Sequence, residues 1–185
     1  MRVRFSTCLG TDIVCDSIHE VLGQIAGILI CPDTGKVEGF FVTSATPIGG
    51  TPFLSSVDII RWGAHVHVRD ADAVFPAEER VRLQPLMEDG RAVLGQRVCT
   101  ESGRTLGVCR DVQFHSDSMQ CEWLFPRRLW RWTVPLPFSD VLEVRRDAII
   151  VRDPKPPVKE PIGQQEPAIE LLQAVPGIGS GVPEN

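Results

Sequence analysis

Apolar residues in this chain recur in short runs separated by turn residues, and no stretch within residues 1–70 or 91–153 sustains the i, i+3, i+4 spacing of an amphipathic helix. After residue 95 the runs are "QRVCT", the tight turn Ser102-Gly103-Arg104, "LGVCRDVQF", the turn "HSDS", "MQCEWLF", a polar–aromatic loop, "WTVPLP", "DVLEV" and "AIIVRD". Such runs, with Gly, Ser and Asp between them, predict β-strands joined by tight turns. Five or six short strands in about 62 residues predict a small closed barrel, which leaves no sheet edge exposed.

The succession occurs twice. Leu-Gly stands at 9–10, 22–23, 94–95 and 106–107. At an offset of 84, Val14 and Cys15 meet Val98 and Cys99, Asp33 meets Asp117, Glu38 meets Glu122 and Phe41 meets Phe125. Small drifts in offset later in the chain fit single loop insertions and deletions. The tetrapeptide "VLGQ" also occurs twice, at Val21–Gln24 and Val93–Gln96, but out of this register, so its recurrence is coincidence. The expected fold class is therefore all-β, with two small β-barrels in tandem over 1–70 and 91–153. A linker over 71–90 has room for one short helix. Residues 154–185 hold 7 of the 15 prolines and four of the glycines, a composition that predicts a disordered Pro-rich C-terminal tail.

"LGQRVCTESGRTLGVCRDVQF" with "WTVPLPFSDVLEVRRDAIIVRDP" resembles the PRC-barrel family, which includes the C-terminal domain of the ribosome maturation factor RimM. The shared features are a Leu-Gly start, a Gly turn, a second Leu-Gly strand, a Pro-Phe step and a closing apolar strand. Residues 1–70 show them less cleanly: His19 replaces Gly103 of the turn, and "LSS" replaces the Leu-Pro-Phe step. The resemblance implies a docking module and brings no catalytic residues with it. It also implies, as the alternative, an RNA- or ribosome-associated maturation factor.

Composition narrows the classes further. A net charge of −5 argues against general nucleic-acid affinity for the whole molecule. No apolar run of signal-peptide or membrane-span length occurs, so a cytoplasmic protein without a membrane span is expected. Six cysteines without a C-x-x-C pair read as reduced thiols filling small apolar spaces. His65 and His67 share one strand face, but no third ligand stands nearby, so no metal site is expected. Neither a catalytic triad order nor a phosphate-binding glycine loop is present. The chain therefore reads as a non-enzymatic interaction module, with no cofactor and no small-molecule substrate.

The unusual segment is "FPRRLWRW". It sets Arg127, Arg128 and Arg131 beside Trp130 and Trp132, a set suited to an acidic protein surface or to RNA phosphates and bases. Its counterpart in residues 1–70 is the uncharged "SATPIGG". Burial of both indoles in the barrel is the competing expectation. A second candidate surface is the row Ile25, Leu29 and Cys31, apolar on what strict alternation makes an outward face, and hence expected to form the interface between the barrels. In the tail, Ile169, Leu172 and Val175 could line one side of a short docking helix.

Overall fold

Among the described residues the short apolar runs form fifteen strands, and two sheets result. The computed structural model describes residues 1–153. Within it lie β1 (Arg2–Arg4), α1 (Phe5–Cys8), β2 (Asp12–Cys15), β3 (Glu20–Ile30), β4 (Val37–Ser44), β5 (Pro52–Ser55), β6 (Ile59–Trp62), β7 (Val66–Val68) and β8 (Val74–Pro76). There follow α2 (Gln84–Glu88), β9 (Arg97–Thr100), β10 (Thr105–His115), β11 (Gln120–Arg128), β12 (Arg131–Trp132), β13 (Leu136–Pro137), β14 (Val141–Val144) and β15 (Ala148–Val151). The fold is all-β, and α2 occupies the linker where room for a short helix was expected. The predicted disorder of 154–185, and the Ile169–Val175 docking segment, lie outside the described residues.

The first sheet runs β6-β7-β2-β3-β4-β5-β8 and the second β12-β11-β10-β9-β15-β14, with β1 on β10 and β13 on β11. Each contains a single parallel pair, β2 with β7 and β9 with β15, among otherwise antiparallel neighbours. The β2–β3 and β9–β10 turns hold His19 at φ 59° and Gly103 at φ 86°, so the histidine adopts the left-handed conformation that glycine takes in the other turn.

Membership of the sheets does not follow the boundaries at 70 and 90. The N-terminal strand β1 belongs to the second sheet, pairing Arg2 with His115 and Arg4 with Gln113. From the linker, β8 joins the first sheet through Phe53 and Phe75. The chain thus crosses between the sheets, and residues 1–153 form one compact unit.

One apolar core runs through both sheets, from Ile13, Ile25 and Phe40 in the first to Val98, Val112 and Phe114 in the second. Phe40, Trp62 and Phe114 meet at its centre with ring centroids 5.2–5.8 Å apart. The ends of the two long hairpins also pair: the Val37 amide donates to the Met119 carbonyl at 2.7 Å, and the Cys121 amide to Gly35 at 2.9 Å. Arg91 ties the linker end to this region, bridging Asp33 and Asp89 with contacts as short as 2.6 Å. These hydrogen bonds hold both carboxyls below the usual range.

The expected outward row of Ile25, Leu29 and Cys31 does not exist. A bulge at Ala26, between the pairs Ile25–Val42 and Gly27–Phe41, adds a residue to one strand and exchanges the faces beyond it. Ile25 consequently lies in the main core. Leu29 faces the other way, against Phe41, Phe53, Phe75, Ala77, Leu83 and Met87, so the linker covers it rather than the second sheet. Cys31 lines a hollow beside Glu38, Arg82 and Leu83. A matching bulge at Arg110 turns Cys109 inward with Val112 and Phe114.

Candidate functional site: the Arg/Trp hairpin

The segment singled out in the sequence is a tight β-hairpin. Arg128 pairs with Arg131 and Arg127 with Trp132, which leaves Leu129 and Trp130 as the two tip residues. Leu129 has φ 52°, a conformation that favours glycine or asparagine and costs a leucine about 1 kcal/mol. Thr133 secures the return strand, its amide and hydroxyl both donating to the Pro126 carbonyl at 3.0 Å.

The tip points into solvent. Leu129 is 84% exposed and Trp130 87%, and Trp132 is 53% exposed at the next pair. Burial of both indoles in the barrel is therefore overturned: a two-residue turn carries Trp130 beyond the last ladder pair, where no core reaches. Arg128 and Arg131 are exposed and form no ion pair among the described residues.

Behind the tip, the outer face of β11 carries a cation–aromatic stack. The Arg4 guanidinium lies 4.0 Å from the Phe125 ring centroid and 5.6 Å from that of Trp132, and Arg127 approaches the same indole at 5.6 Å. Arg4 is itself fixed by Asp111, at 2.9 Å. The buried Asp111 carboxylate also accepts from the Ser6 amide at 3.0 Å, the Ser6 hydroxyl at 2.6 Å and the Val112 amide at 2.9 Å. The bulge at Arg110 sets Asp111 opposite Phe125, so one irregularity in β10 both orients the carboxylate and anchors β1 beneath the hairpin. Arg4, Asp111 and the exposed Trp123 escaped the sequence reading. Arg4 stands more than a hundred residues from the hairpin, and no local spacing signals that contact.

Elsewhere, His67 Nδ1 lies 2.7 Å from Asp16 and His65 Nδ1 lies 3.8 Å from Asp12. Hydrogen bonding to His67 holds Asp16 below the usual carboxylate range. No cluster of three or more His, Cys, Asp or Glu side chains is arranged for a metal among the described residues. All six cysteines are free thiols. Burial pushes the Cys8, Cys109 and Cys121 thiols up to about 12, which keeps them protonated and poorly nucleophilic near neutrality. A cavity of about 260 Å³ lies between the linker and β3–β4, lined by Ile28, Leu29, Phe41, Leu86 and Met87 among others, below the usual volume of a ligand pocket. No helix among the described residues is long and apolar enough to cross a membrane.

No protein-family model matches this chain, and no curated protein is detectably similar to it. The assignment of a role therefore rests on the residues of the site.

Proposed function

We propose that the protein is a non-enzymatic cytoplasmic docking module, built from two PRC-like barrels that arose by internal duplication, and that it engages an anionic partner through the Arg127–Trp132 hairpin. The shared strand order, the single parallel pair in each sheet and the matched bulges at Ala26 and Arg110 support the duplication. One observation carries the functional reading: the hairpin exposes Leu129, Trp130 and Trp132 beside two arginines that form no ion pair among the described residues. Exposed aromatics with arginine are the residues that dominate binding hot spots. On a chain of net charge −5 they form a local positive spot that steers an anionic surface towards it.

A second reading, an RNA- or ribosome-associated factor, draws on the stack of Arg4, Phe125, Trp132 and Arg127, since indoles and guanidinium planes also accept unstacked bases. Both readings are tested by replacing Arg127, Arg128 and Arg131 together with Ser. Retention of host-extract components by the immobilised full chain is then compared with wild type across a salt series. Components retained by wild type, released by salt and lost from the variant support the hairpin as the docking element. Ribonuclease sensitivity of that retention favours the second reading. Identical retention by both proteins refutes the hairpin's role.

A further inference from the structure

The order of residues outward along the hairpin narrows the anionic partner. The outermost side chains are apolar: Leu129 and Trp130 at the tip. One ladder pair behind them stand Arg128 and Arg131, and one pair behind those stand Arg127 and Trp132. Val134, 77% exposed, lies in the loop that follows the return strand. Between Trp123 and Phe138 there is no acidic residue, although the segment contains three arginines and three of the four tryptophans.

A nucleic-acid site places its cations where phosphates arrive first and uses flat rings as platforms; Leu129 and Val134 offer no stacking face. A lipid surface asks for the reverse order. Apolar side chains pass the headgroups, tryptophan settles at the boundary, and guanidinium groups stay at the level of the phosphates with their stems running along apolar surface. Adjacent residues of a strand are about 3.3 Å apart, so the two arginines flank the tip at the height where headgroup phosphates lie once the tip is immersed. The leucine is also held at a backbone conformation better suited to glycine. Folding does not require a large apolar side chain at that position, whereas insertion uses one.

We infer that the Arg127–Trp132 hairpin is a peripheral membrane anchor, which inserts Leu129 and Trp130 into an anionic lipid surface while Arg128 and Arg131 contact the headgroup phosphates. This rests on the docking reading above and names the partner as lipid. The two charges at the surface, near the negative cytoplasmic leaflet, make the attachment reversible and salt-sensitive.

The test is sedimentation of the full-length protein with vesicles of equal parts phosphatidylcholine and phosphatidylglycerol, beside vesicles of phosphatidylcholine alone. Expected results are retention on the anionic vesicles, release by added salt, and a blue shift of tryptophan emission on binding. Arg128→Ser with Arg131→Ser lowers the partition coefficient by roughly thirtyfold and removes the salt dependence. Leu129→Ser with Trp130→Ser lowers it by roughly tenfold or more and abolishes the blue shift. Circular dichroism and the unfolding temperature report that each pair leaves the fold intact, and either pair alone suffices for the test. Absence of binding to anionic vesicles, or binding unchanged in a folded variant, overturns the inference. Preference for a mixed-sequence single-stranded RNA over the vesicles overturns it in favour of an RNA site. If the vesicles fail while hairpin-dependent retention from extract persists, the lipid assignment falls and the docking reading stands; if both fail, both fall.

Discussion

Asp111 shows how a single residue can serve fold and site together. A carboxylate this deeply buried is tolerated because four donors surround it, and one of them is the guanidinium that lies over Phe125. Its partners Arg4 and Ser6 are distant in sequence, so no local pattern marks it out. The cysteines were legible: they are small fillers, and four of them are buried. Their titration gives a prediction at this scale. The Cys8, Cys109 and Cys121 thiols are raised from an ordinary 9.0 to about 12, so above pH 9 the folded state binds more protons than the unfolded state. Their contribution to stability is complete below pH 9 and is lost as pH rises towards 12. Urea midpoints should fall across that window, and a Cys109→Ala, Cys121→Ala variant should show a shallower decline. In the native state near neutrality, Cys31 and Cys99, which are partly exposed, should react with a thiol reagent well before the other four.

At the scale of elements, the existence and order of the strands were readable because turn residues mark their ends. Their faces were not, because a bulge has no fixed signature in a single sequence and a one-residue slip exchanges inside for outside. That is why Ile25 and Leu29, expected on one surface, belong to separate clusters. The hairpin was legible in composition but not in conformation: Leu129-Trp130 lacks the glycine or asparagine that announces a two-residue turn. The strain at Leu129 leads to a prediction. Leu129→Gly removes an exposed side chain from a left-handed position, so relief of about 1 kcal/mol offsets the comparable entropic cost of glycine. The expected unfolding free energy stays within about 0.5 kcal/mol of wild type or rises, where Gly elsewhere in a strand costs about 1 kcal/mol. Chemical denaturation checks this, and a loss well above 1 kcal/mol would mean that Leu129 packs in the fold.

For the whole molecule, the decisive feature is that two similar sheets do not fold as two separate bodies. β1 is contributed to the second sheet and β8 to the first, and the Phe40, Trp62 and Phe114 cluster joins the cores. The similarity of the two sheets was readable because matching residues recur at offsets near 84. The exchange of β1 was not, because three residues carry too little pattern to name their partner. A continuous core holds β10 and β11 rigidly, and β11 in turn projects the hairpin, so that binding need not order the scaffold. The account's central claim is that the partner meets the hairpin and nothing else on this scaffold. Hydrogen–deuterium exchange of the full-length protein, alone and bound to the partner retained from extract or to anionic vesicles, tests it most directly. The account predicts new protection confined to peptides covering Trp123–Val134, with exchange across the linker, β6 and β7 unchanged. Protection centred on those other segments, with the hairpin exchanging as freely as in the unbound protein, would contradict it.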